Sequence, residues 1–177
     1  MKLYKLTDEK DQTKNATQWG EGVTHTTNGE GDLCGPGWLH AYEDPLLAVL
    51  HNPIHGNFKA PHLWEAEGEV KVKRDGQMKI GVTRLTTVKR IDLPTISKVQ
   101  RTAYGILCAK SVYSDVKWNE RTDKWLSGEG RTEASSLAAY AAEYAAVYAA
   151  RAAGYAAQYA GKTLDMIAIA QKAMTYK

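Results

Sequence analysis

Polar and apolar positions alternate first in "KLYKLT", where Leu3 and Tyr4 sit among lysines, and that period of two predicts an opening strand. A polar, glycine-rich stretch from Thr7 to Gly37 follows. A connection of that length is either functional or carries short structure of its own, and this one contains Trp19, His25 and Cys34. "GPGWLHAYEDPLLAVLHNP" then predicts, in order, a turn, a strand from Trp38 to Tyr42 and a helix. Asp44 is placed to cap that helix, Pro45 fits its first turn, and Asn52-Pro53 stops it. "HLWEAEGEVKVKR" and "MKIGVTRLTTVKRIDL" both run with period two around Asp75-Gly76, which predicts a hairpin.

After Pro94 the period changes to that of helices. Ile96, Val99, Ala103, Ile106, Leu107 and Val112 share one face, with Thr95 or Ser97 as cap. Trp118 and Trp125, seven apart, predict a short helix ending at Gly128. From about Glu133 to Tyr159 an alanine-rich helix carries Tyr140, Tyr144, Tyr148, Arg151, Tyr155 and Tyr159 along one edge. "TLDMIAIAQKAM" closes the chain, with Leu164, Ile167 and Met174 on one side. The expected architecture is α+β: a small split or antiparallel sheet domain over residues 1–94, then an all-helical, Ala/Tyr-rich region over residues 95–177.

The tyrosine edge reads first as internal packing and second as a partner surface. Between Ala134 and Ala160 there are 14 alanines, and the charged residues are Glu143 and Arg151. So bare a rod needs cover, and the expectation is a homo-oligomer, most simply a twofold dimer, with the tyrosines packed inward or across the same seam.

The formal charge of +3 is spread among acids, with no run of five like charges, which argues against nucleic acid as partner. The N-terminal residues lack an apolar signal core, and no stretch approaches the ~18 apolar residues of a membrane helix, so the expected location is the cytosol. Two cysteines without a CxxC spacing predict neither a disulfide framework nor a zinc site.

The five histidines fall between His25 and His62. His51 and His55 have the i, i+4 spacing of helical metal ligands, but Asn52-Pro53 between them breaks the helix that would align them, so no metal or other cofactor is expected. In the strand "WLHAY", alternation places Trp38, His40 and Tyr42 on one face and Leu39 and Ala41 on the other. The aromatic-His-aromatic row suits stacking and hydrogen bonding to a flat polar ligand, and a sheet face covered by the helical region is the other reading. No nucleophile elbow, phosphate loop or dinucleotide fingerprint is present.

"GWLHAYEDPLLAVL", "LWEAEGEV" and "TRLTTVKRIDLP" resemble a family of small uncharacterised proteins of bacteriophages and bacteria. These carry a glycine-aromatic-His-Ala strand and, in some, an alanine-rich helical tail. The order of elements also looks like the split sheet of ADP-ribosyltransferase-like domains. Active members of that fold carry Arg or His on the first strand and a late Glu, where this chain has Tyr4 and Lys5 and no Glu in "KIGVTRLTTVKRI". The resemblance implies a non-enzymatic phage protein, acting in the host cytosol, that sequesters a small nucleotide-like ligand such as an ADP-ribose-derived immune signal. Trp38, His40 and Tyr42 would contact that ligand, and Lys79 or Arg84 would neutralise its phosphate. The alternatives are an NAD-dependent transferase, with Glu65, Glu67 or Glu69 beside His40, and an inhibitor that binds a host protein through the tyrosine edge.

Overall fold

The computed structural model describes residues 1–75, 78–129, 131, 148–161 and 163–177. The chain divides into two compact units, Met1–Pro94 and Thr95–Lys177. The first contains strands β1 (Lys2–Thr7), β2 (Gln12–Thr13), β3 (Thr17–Gln18), β4 (Thr24–Thr26), β5 (Leu39–Ala41), β6 (His62–Asp75) and β7 (Lys79–Ile91). Helices α1 (Pro45–Leu50) and α2 (Asn52–His55) lie between β5 and β6. The fold is thus mixed α and β, with an antiparallel sheet followed by C-terminal helices.

β1 pairs with β6 and β6 with β7, while β4 and β5 share the far edge of β7, opposite Arg84–Thr86 and Ile80–Val82 respectively. Tyr4 and Tyr42 exchange backbone hydrogen bonds of 2.8 and 2.9 Å, which ties the end of β5 back to β1 and curls the sheet on itself. Inside the curl, Leu3, Ala41, Ala66, Ile80, Val82 and Leu85 pack with Trp19 as one buried cluster. Each fully buried Leu, Ile or Val contributes about 2 kcal/mol. Gly68 permits the tight curvature, because a Cβ there would stand 2.5 Å from Leu3 Cδ1.

The Thr7–Gly37 excursion is not bare loop. It holds the β2–β3 hairpin and β4, and Asp11 fastens it to the sheet. The Asp11 carboxylate accepts from His62 Nδ1 at 2.8 Å, from Trp64 Nε1 at 3.0 Å and from the Arg90 guanidinium at 3.0 Å. These donors hold its carboxyl below the ordinary carboxylate value against the opposing effect of burial.

Asp44 caps α1 as its sequence predicts, accepting from Leu46 N at 2.8 Å. Pro53 does split the helical run: His51, at φ −94° and ψ 0°, separates α1 from α2.

In the second unit, α3 (Lys98–Lys110) starts from a capping box between Ser97 and Gln100, and α4 (Val116–Ser127) ends at Gly128 in the left-handed region, φ 96°. A helix α5 covers residues 148–159, and Asp165 caps α6 (Met166–Ala173). The buried face of α3 is Thr102 to Gly105 with Cys108, so Tyr104 points inward while Ile106 and Leu107 are half-buried. On α6 the buried residues are Met166, Ala170 and Ala173, and Leu164, Ile167 and Met174 are half-buried.

Within the single chain, the described tyrosines of α5 do not take the inward side of the helix. Ala150, Ala153 and Ala157 are buried within the single chain, whereas Tyr148 is 53% and Tyr159 93% exposed. The helix turns its small residues inward because they allow close approach, and the bulky phenols take the outer side. Tyr155 is half-buried and holds Arg151, whose guanidinium lies 5.5 Å from the ring centroid. Tyr140 and Tyr144 lie outside the described residues. Around α5 the chain covers Ala150, Ala153 and Ala157, while Ala152, Ala156 and Ala160 are exposed.

Candidate functional site

β4 and β5 lie along the same edge of β7 but do not meet, and the interval between Thr26 and Trp38 opens a cleft of about 340 Å³. The intervening segment folds back on itself to form one wall. Gly29 N donates to Gly37 O at 2.9 Å, and Asn28 Oδ1 accepts from Glu30 N at 3.1 Å. A Cβ at Gly37 would overlap the Glu30 carbonyl oxygen, so glycine is required where the segment closes. Trp38 Nε1 donates to Gly31 O at 3.3 Å and fixes its indole against this wall.

The opposite side is built by Trp19, His25 and the single turn Lys14–Ala16. Trp19 Nε1 donates to Thr13 Oγ1 at 2.9 Å, and the His25 ring meets the indole edge-on with centroids 4.6 Å apart. Asn15 and Ala16 both have positive φ, 62° and 52°. Asn tolerates that region and Ala does so at a cost of about 1 kcal/mol, so strain is stored at the rim of the cleft.

Lys5 belongs to the floor. Its ammonium donates to His40 O at 2.7 Å and lies 4.7 Å from the centroid of the Trp19 ring. Among the described residues no carboxylate pairs with it, and burial pulls its pKa down from 10.5 to about 7. Thr27, also in the lining, has a buried hydroxyl that meets no hydrogen-bond partner among the described residues. The described lining residues include two indoles, two lysines and two histidines, and no Asp or Glu. Such a cleft favours a flat, negatively charged guest.

The sequence-predicted residues separate. Trp38 and His40 line the cleft, the His40 Nε2 sitting against Leu33 O. Tyr42 does not: it is buried, and its hydroxyl bonds His55 Nδ1 at 3.0 Å with the two rings stacked 6.0 Å apart. Burial pushes the Tyr42 phenol well above its ordinary pKa. The expected row breaks because β5 ends at Ala41, where Tyr42 bridges to Tyr4. Lys79 is also outside the lining. It is buried behind the wall, with Nζ 3.2 Å from Cys34 Sγ, and Cys34 itself faces the cleft. Arg84 is exposed on β7 opposite Thr26 and is not part of the lining.

Glu65 is placed on the other side of the sheet. Tyr4 stands opposite Glu65 and Lys5 opposite Trp64, so strand alternation turns Glu65 away from Lys5 and toward Lys2 at 3.0 Å and Lys89 at 3.6 Å. Glu67 is exposed two residues on. His51 and His55 meet edge-on at 5.6 Å, but His51 Nδ1 bonds Met78 O at 3.2 Å, and burial takes its pKa down to about 4. Among the described residues no group of three His, Cys, Asp or Glu is arranged to hold a metal ion. Nor is any described helix long and apolar enough to cross a membrane.

Sequence reasoning found Trp38 and His40 from strand alternation, and flagged Trp19, His25 and Cys34 by their place in an overlong connection. It gave no binding role to Lys5, Lys14 or Thr27, for which residue type and spacing carry no signal. Comparison with curated proteins and with solved structures finds no match. Residues 1–99 match one family, described as "Domain of unknown function (DUF7666)".

Proposed function

The chain belongs to that DUF7666 family, and we propose that its N-terminal unit binds, without turning over, a small flat anion of nucleotide type in the cleft between β4 and β5. The observation that carries this reading is the lining itself: Trp19 and Trp38 offer aromatic surfaces, Lys5 and Lys14 offer positive charge, and no carboxylate opposes them among the described lining residues. Stacking one base on an aromatic ring contributes about 1–3 kcal/mol, and a hydrogen bond to a charged group about 1.5–3 kcal/mol. Together these amount to about 2.5–6 kcal/mol, which corresponds to capture of a mononucleotide-sized group from the millimolar range down to tens of micromolar. The volume stands at the small end of the ~300–1,000 Å³ range of ligand clefts, which suits one ring-and-phosphate moiety. Capture is favoured over transfer because the carboxylate that a transferase would use is missing from the described lining and Glu65 is committed to Lys2 and Lys89. Taken with the resemblance to phage proteins, the role this supports is sequestration of an ADP-ribose-derived or cyclic-nucleotide immune signal.

Isothermal titration of ADP-ribose, ADP and cyclic nucleotides into ~100 μM protein tests it. At least one member binds, and Trp38→Ala weakens that binding by about 5- to 150-fold, the equivalent of one lost stacking contact. No heat with any member of the panel contradicts the reading.

A further inference from the structure

We propose that Lys5 forms a reversible imine with the open-chain aldehyde of a phosphorylated reducing sugar held in the cleft, so that ribosyl ligands with a free anomeric carbon are retained covalently. This rests on the cleft being a binding site for nucleotide-like anions, and it adds the part of the ligand that the floor would select. The geometry is that of an amine set aside from ordinary ion pairing. Lys5 Nζ lies beneath the cleft, against the face of Trp19 and within 2.7 Å of the His40 carbonyl oxygen. A carbonyl oxygen accepts a hydrogen bond from a neutral amine as well as from an ammonium, so the site holds both forms in place. Lys2, Lys89 and Lys110 instead pair with carboxylates, which keep them charged.

Desolvation is what converts lysine into a nucleophile. With its pKa taken down to about 7 by burial, Lys5 is about half neutral at pH 7, whereas fewer than about one in a thousand ordinary exposed lysines are. The reaction balances without a further reagent. The amine lone pair attacks the aldehyde carbon, and one N–H proton passes to the carbonyl oxygen to give a carbinolamine. The remaining N–H proton and the hydroxyl group then leave as water, and the C=N bond forms. Hydrolysis reverses it. ADP-ribose and ribose 5-phosphate carry the required masked aldehyde, and ADP does not.

The test uses the full chain with ADP-ribose or ribose 5-phosphate at pH 7, with and without sodium cyanoborohydride, followed by peptide mapping. Binding heat for ADP-ribose is measured on the same preparation. The proposal expects one reduced adduct per chain, located on Lys5, at least tenfold enriched over exposed Lys10 and Lys59, which lie outside the lining, and suppressed by excess ADP. Without the reductant the adduct is lost on dilution. Lys5→Arg removes the primary amine, so no adduct forms at position 5 whatever binding the variant retains. If that variant does not fold, mapping of the wild-type chain still decides. Binding of ADP-ribose without a Lys5 adduct, or an adduct spread evenly over exposed lysines, overturns the imine and leaves the cleft reading standing. Absence of both binding and adduct overturns the two together.

Discussion

Two buried basic side chains give the N-terminal unit a defined pH response. Lys5 falls from 10.5 to about 7 on folding, and His51 from 6.5 to about 4, burial being the leading cause for each. In both cases the unfolded chain binds the proton more tightly, so stability rises with pH wherever the unfolded group is protonated and the folded one is not. For Lys5 that window is about pH 7 to 10.5, and for His51 about pH 4 to 6.5. Across its window Lys5 contributes on the order of 5 kcal/mol and His51 on the order of 3 kcal/mol. The urea midpoint of the wild-type protein is therefore expected to be higher at pH 9.5 than at pH 7, and Lys5→Met, which needs no proton, removes that difference. A Lys5→Met variant that keeps the full alkaline gain contradicts the assignment.

At the scale of elements, the cleft depends on how closely the folded-back segment rides over β7. Gly81 stands opposite His40, and a Cβ there would collide with the Leu33 side chain and press on Trp38 Cε3 at 3.2 Å. Gly81→Ala is expected to lift that wall, lowering stability by about 1–3 kcal/mol and weakening ligand binding at least tenfold, as read by thermal unfolding and titration. Unchanged binding in this variant detaches the wall from the site. The elements themselves were legible wherever local chemistry decides them: Asp44 before Pro45, Ser97 with Gln100 three residues on, and Gly128 in the left-handed region each mark a helix end that the structure keeps. The cleft was legible only in part. Trp38 and His40 follow from alternation, but Tyr42 leaves their surroundings because of a bridge to Tyr4, a contact 38 positions away that no local pattern encodes. Lys5 reads as one more strand lysine until the sheet curls and places Trp19 against it.

For the whole molecule, the described cleft residues all lie between Lys5 and His40, inside the unit Met1–Pro94 and inside the family match over residues 1–99. The helical unit contributes none of the described lining, and its exposed Tyr148 and Tyr159 are a separate surface feature. The proposed ligand capture thus calls on the N-terminal unit alone among the described lining residues. The five tryptophans report on this directly, because two of them, Trp19 and Trp38, line the cleft, while Trp64 is bonded to Asp11 and Trp118 and Trp125 belong to α4. The decisive measurement is the indole N–H region of a two-dimensional ¹⁵N–¹H spectrum of the full chain, recorded during titration with ADP-ribose. The account predicts that the Trp19 and Trp38 resonances shift with a common saturation curve while the Trp64, Trp118 and Trp125 resonances stay in place. Saturable movement of Trp118 or Trp125 with Trp19 and Trp38 unmoved would contradict it.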